Sequence, residues 1–89
     1  MQNIFWLKGK WHFLKKEYRK ALGDFKKAKE TAADEEVRQK GASFYAKTCI
    51  TLTDYQEAIK TLEAKGEYEL ADWMNLAFAY KCTGNWKKM

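Results

Sequence analysis

Proline is absent from the 89 residues, and only five are glycine. Strand-and-turn folds lean on both residues to close hairpins, so their scarcity favours helix. One histidine, His12, and two cysteines, Cys49 and Cys82, leave little with which to build a metal centre. The cysteines stand in apolar helical patterns with no CxxC or Cys/His cluster, and they read as two buried, reduced thiols. No GxGxxG or GxxxxGK[ST] stretch occurs, which removes the known phosphate-cradling loops. His12 sits between Trp11 and Phe13, with no serine or cysteine spaced to act as a nucleophile beside it, so it reads as a partly buried structural residue. No apolar run approaches the roughly 18 residues of a membrane span, and residues 1–7, though apolar, lack a basic lead-in and a small-residue cleavage site. The expectation is a soluble cytoplasmic protein, not an enzyme, with no cofactor and no metal.

What the chain does contain is apolar and aromatic weight. Hydrophobic residues make up 46% and aromatics 16%, well above a disordered composition, so one small packed domain over residues 1–89 is expected. The net charge of +5 is unevenly spread. Residues 1–29 hold nine Lys/Arg against two acids, residues 30–72 five against ten, and residues 73–89 three against none. Such blocks steer a partner, align copies of the chain, or simply solvate outer faces.

Periodicity divides the chain into helices. Residues 2–14 form the first, with Ile4, Leu7, Trp11 and Leu14 on one face and Phe5, Trp6 and Phe13 widening it. After a break at Lys15-Lys16, residues 17–32 form a second helix that buries Tyr18, Ala21, Leu22, Phe25 and Ala28. Its late lysines Lys26, Lys27 and Lys29 complement the helix dipole. Asp34 is the expected N-cap of a third helix, 35–51, which carries Val37, Phe44, Tyr45, Cys49 and Ile50. Thr53 and Gln56 have capping-box spacing for a fourth helix, about 54–65, which buries Tyr55, Ala58, Ile59 and Leu62 and ends at Gly66. A fifth helix spans about 67–83, and a sixth starts near Asn85.

One stretch carries a motif. Trp73, Leu76, Ala77, Tyr80, Gly84 and Trp86 read W-x2-L-A-x2-Y-x3-G-x-W, which resembles the opening of a tetratricopeptide repeat. Its small residue recurs as Gly9, Ala46 and Ala77, and the aromatic opening each second helix as Tyr18, Tyr55 and Trp86. Both sets are spaced 37 and then 31 residues apart, around the family's period of about 34. Lys8 stands where that family prefers leucine, Lys65 where it prefers a small residue, and the usual closing proline is missing. The resemblance implies an all-α fold of antiparallel helical hairpins stacked as a right-handed superhelix, an α-solenoid with five helices and a truncated sixth. It divides the chain into repeat 1 (about 2–33), repeat 2 (about 34–66) and a partial repeat 3 (about 67–89).

The same resemblance implies a function. First helices of such repeats line a concave groove that binds a peptide, which assigns Trp6, Lys10 and Phe13 from the first repeat. Phe44 and Lys47 follow from the second, and Met74, Asn75, Phe78 and Lys81 from the third. An apolar peptide bearing acidic residues suits that lining, although the same aromatics also suit plain packing between helices. Trp6 and Phe44 interrupt the Lys/Asn set of the carboxylate-gripping subfamily, so that ligand is not implied. Trp73, Leu76, Tyr80 and Trp86 form an apolar face suited to a homodimer through the C-terminal helix. Two alternatives stand beside the groove. One is nucleic-acid binding through the basic 15–29 segment, which is disfavoured because its lysines and arginine lie opposite the buried side of their helix. The other is a purely structural oligomerisation module.

Overall fold

The computed structural model describes residues 4–84, and that span is all-helical. The helices are α1 (Ile4–Leu14), α2 (Tyr18–Thr31), α3 (Glu35–Thr51), α4 (Tyr55–Glu63) and α5 (Leu70–Thr83), with no strand among the described residues. Each helix packs on the next in sequence, and α3 also meets α5. Contact confined to helices one or two apart in sequence is what a helical repeat produces. The expected sixth helix and Trp86 lie outside the described residues.

The turns explain why α1–α2 and α3–α4 form alike. In the first, Lys15 N donates to Trp11 O (3.1 Å), Lys16 N to Phe13 O (3.0 Å) and Glu17 N to His12 O (2.9 Å). In the second, Leu52 N donates to Thr48 O (3.0 Å), Thr53 N to Ile50 O (3.0 Å) and Asp54 N to Cys49 O (2.8 Å). Every donor and acceptor is displaced by 37 residues. The residue at the centre is left-handed in both, with φ 64° at Lys16 and at Thr53. Gly84, a further 31 residues on, caps α5 with φ 78° and donates to Lys81 O (3.3 Å). Only there does the chain use the residue that adopts this conformation without a steric penalty.

Helix starts follow capping chemistry, with one correction. Asp34 caps α3 as expected, accepting from Glu36 N (2.9 Å). The cap of α4 is Asp54, which accepts from Glu57 N (3.4 Å), and not Thr53. Thr53 is left-handed and belongs to the preceding turn, so its hydroxyl donates to Leu52 O (2.6 Å) instead of to the helix. The helix α4 closes at Ala64, before Gly66, because Ala64 N and Lys65 N already bond back to Lys60 O and Leu62 O. The start of α5 lies at Leu70, later than expected, where Glu69 N donates to Asp72 Oδ2 (3.0 Å).

The core is drawn from α2 to α5: Ala21 and Phe25; Tyr45, Ala46 and Cys49; Ala58, Ile59 and Leu62; Leu76, Ala79 and Tyr80. The helix α1 corrects the expected face. Ile4, Leu7, Trp11 and Leu14 are 63, 46, 56 and 81% exposed, while Gly9 is buried and Phe5, Trp6, His12 and Phe13 are half-buried. The helix is apolar nearly all round, so its pattern could not choose a side; Gly9 chooses it. A Cβ at Gly9 would lie 2.6 Å from Phe25 Cε1, so only glycine admits the Phe25 ring against the α1 backbone. His12 Nδ1 then meets Asp24 Oδ2 at 2.5 Å.

Candidate peptide-binding groove

The α1–α3 seam is built on Phe25, a fully buried ring of α2. Trp6 of α1 lies 5.7 Å from Phe25 between centroids, and Phe44 of α3 lies 5.4 Å from it. Trp6 and Phe44 themselves meet edge to face at 4.9 Å. Each such contact is worth about 0.5–1.5 kcal/mol beyond its buried area, so the three rings form a stiff floor that holds two half-buried aromatics at the surface.

Two lysines lie across that floor. Lys10 Nζ is 5.6 Å from the Trp6 ring, and Lys47 Nζ is 5.3 Å from Phe13 and 5.7 Å from Phe44. Among the described residues neither pairs with a carboxylate. An exposed ammonium on a ring face gains only about 0.5–1 kcal/mol there, so both charges remain open to a stronger anionic partner.

Five of the nine residues expected to line a groove, Trp6, Lys10, Phe13, Phe44 and Lys47, are thus brought into one cluster. On α5 the arrangement differs. Phe78 turns to Tyr55 of α4, 6.1 Å away between centroids, Met74 and Lys81 lie exposed, and Asn75 is half-buried. Of the residues assigned to self-association, Leu76 and Tyr80 are corrected: both are buried within the fold against α4, and Tyr80 Oη bonds the Glu63 carboxylate. That bond, with burial and the nearby negative charge adding to it, pushes the Tyr80 hydroxyl up to about 12. Trp73 remains outside, its ring tilted against that of Tyr68 at 4.7 Å between centroids.

The cysteines part company. Cys49 is buried as expected, and burial first, then Asp54 and Glu57, raise its thiol to about 12. Cys82 is exposed, a correction, because α5 turns Ala79 and Tyr80 inward and leaves this position on the open side.

Sequence reasoning missed the charged pair beneath α5. Lys65 Nζ lies 2.5 Å from Asp72 Oδ2 and 2.5 Å from Ser43 Oγ, so it joins α3, the end of α4 and α5. The two side chains are 3% and 1% exposed. Burial pushes the Asp72 carboxyl up, but Glu69 N–H, Lys65 and Ser43 outweigh it and hold it below its ordinary value. The signals were an unexpected lysine in a small-residue position and the Glu69/Asp72 capping spacing.

A family model described as anaphase-promoting complex, cyclosome, subunit 3 matches residues 1–65. The chain belongs to that family. Its repeats are of the tetratricopeptide type, generally non-catalytic and devoted to protein–protein interaction, in keeping with the all-helical hairpins described above. No curated protein and no solved structure matches the chain. Among the described residues no group of His, Cys, Asp or Glu could hold a metal ion, and no helix is long and apolar enough to cross a membrane.

Proposed function

We propose that this chain is a non-catalytic adaptor or scaffold module that holds an apolar peptide bearing acidic residues along the α1–α3 seam. The observation that carries the reading is the pair of uncompensated ammonium groups, Lys10 and Lys47, resting on the half-buried rings of Trp6, Phe13 and Phe44. A partner's carboxylates reach the lysines while its apolar side chains spread on the rings, which gives orientation and contact area together. Family membership supports a protein partner, since the family is described by a subunit of a multi-protein complex.

A labelled peptide alternating Leu or Phe with Asp tests this by fluorescence anisotropy. Lys47→Glu, an exposed position, should weaken binding about tenfold or more and leave the far-UV circular dichroism unchanged. Undiminished binding by that variant removes the groove reading. Single-stranded RNA bound with a steep salt dependence, and lost on Arg19→Glu/Lys20→Glu, would replace it with the nucleic-acid alternative.

A further inference from the structure

Eight large apolar side chains stand exposed among the described residues, each at least 46% open to solvent. Four of them, Ile4, Leu7, Trp11 and Leu14, lie on α1. The other four, Leu70, Trp73, Met74 and Phe78, lie on α5, and none falls on the three helices between. At 3.6 residues per turn the α1 set shares about 80° of its helix and the α5 set about 140°. Single exposed apolar residues are ordinary, but four on one face form a patch that marks an interface.

The two patches carry opposite charge. Between residues 4 and 16 the chain has Lys8, Lys10, Lys15 and Lys16 and no acid. Leading into α5 are Glu67 and Glu69, both exposed and neither in an ion pair among the described residues. The one cation of α5, Lys81, stands near its far end.

Charge decides how copies of the chain can meet. Two α1 faces would set lysine against lysine, and two α5 faces glutamate against glutamate, so neither patch is its own complement. An α1 face against an α5 face pairs unlike charges. Run antiparallel, Glu67 and Glu69 come to the Lys15-Lys16 end of α1, while Lys81 falls beside residues 4–7, which carry no charged side chain. The same sense sets the positive start of each helix dipole against the negative end of the other. A different protein would need one acidic and one basic surface to cover both patches, whereas a second copy covers each with the other.

We infer that copies of this chain associate head to tail, the exposed stripe of α1 in one copy seated on the exposed stripe of α5 in the next. A contact between unlike faces leaves one free face of each kind at the ends, so it propagates into open rows or closes as a ring. Lys47 of the α1–α3 seam takes no part in it.

Sedimentation velocity of the 89-residue protein over a concentration series is the test, and the mean mass should rise past that of a dimer. Trp11→Ala and Trp73→Ala should each weaken self-association about tenfold or more. Leu14→Ser and Leu70→Ser, at the most exposed apolar position of each face, replace them if circular dichroism shows a tryptophan change disturbing the fold. Mixing separates this assembly from a symmetric dimer: Trp11→Ala keeps its α5 face and Trp73→Ala its α1 face, so together they should form a one-to-one dimer that grows no further. Lys47→Glu should leave the association unchanged. Association lost with only one of the two tryptophans, a mixture of the two variants that stays monomeric, or loss on Lys47→Glu would overturn the assignment. So would a parent protein that stays monomeric at millimolar concentration, since another molecule would then be needed to cover the two faces.

Discussion

Replacing Asp72 with asparagine keeps the shape of the side chain and removes its charge. Lys65 would then be left buried, with its ammonium bonded to Ser43 Oγ but without a counter-ion. Breaking a buried ion pair from one side costs about 3–5 kcal/mol, because the remaining charge is desolvated and uncompensated. At about 0.05–0.15 kcal/mol per residue, a domain of this length has only about 5–13 kcal/mol to lose. Asp72→Asn should therefore lower the urea midpoint by a large fraction and Tm by about 12–40 °C, followed by far-UV circular dichroism. Lys65→Met should be comparably costly, since it strands the buried carboxylate without a counter-ion, held only by neutral donors such as Glu69 N–H. The double variant Lys65→Met/Asp72→Leu removes both charges, and should fall within about 1–2 kcal/mol of the parent, the remainder being the lost α5 cap. A cycle in which the two single costs simply add, or in which either stays under about 1 kcal/mol, would refute the coupling.

The pH dependence has a definite sign. The carboxyl of Asp72 is held below its ordinary value in the folded chain. Its stabilisation is therefore present above the unfolded value of about 3.9, and is lost as pH falls through the lower folded value. The parent should lose stability below about pH 4 more steeply than Asp72→Asn does.

Two further predictions concern backbone positions. Gly9→Ala should destabilise by about 1–2 kcal/mol in a denaturant titration, since its Cβ would press on the buried Phe25 ring. Gly23→Ala, with nothing within 4 Å of its Cβ, should instead gain about 0.5–1 kcal/mol from helix propensity. The reverse order would mean that α1 does not approach α2 at Gly9. Thr53→Gly should stabilise by about 1 kcal/mol, because a β-branched residue is strained at φ 64°. Loss of stability on that change, measured the same way, would show that the turn does not need the left-handed conformation.

The extent of α3, its Asp34 cap and the Gly84 stop were legible because each rests on local chemistry: an oxygen placed to accept a free N–H, or a residue free to turn left-handed. The face of α1 was not legible. Seven of its eleven residues are Ile, Phe, Trp or Leu, so hydrophobic spacing fits several faces, and the choice is made by Gly9 receiving a ring from another helix. The α4 cap was misplaced by one residue because Thr53 and Asp54 are both good N-caps; the φ of Thr53 decides between them. The aromatics and lysines of α1 and α3 that meet at their seam were grouped together by the repeat spacing. The place of Phe78 was not legible, since its edge-to-face contact with Tyr55 depends on how α5 lies against α4.

Turn geometry carries the equivalence of the hairpins more firmly than side-chain likeness does. Lys15-Lys16-Glu17 and Leu52-Thr53-Asp54 share no residue, yet they make the same three backbone bonds to acceptors displaced by the same interval. A backbone that leaves α1 and α3 alike fixes which side of each meets its own second helix and which side meets the one before. Side chains can then diverge at matched places: Gly9 against Ala46, Lys8 against Tyr45, Ala28 against Lys65. Each divergence requires a local answer. Glycine at position 9 admits a phenylalanine ring, and lysine at position 65 is matched by Asp72 and Ser43. Lys8 has no such answer inside the described fold. It occupies the place of buried Tyr45 and Leu76, yet it lies exposed at the edge of the apolar stripe of α1.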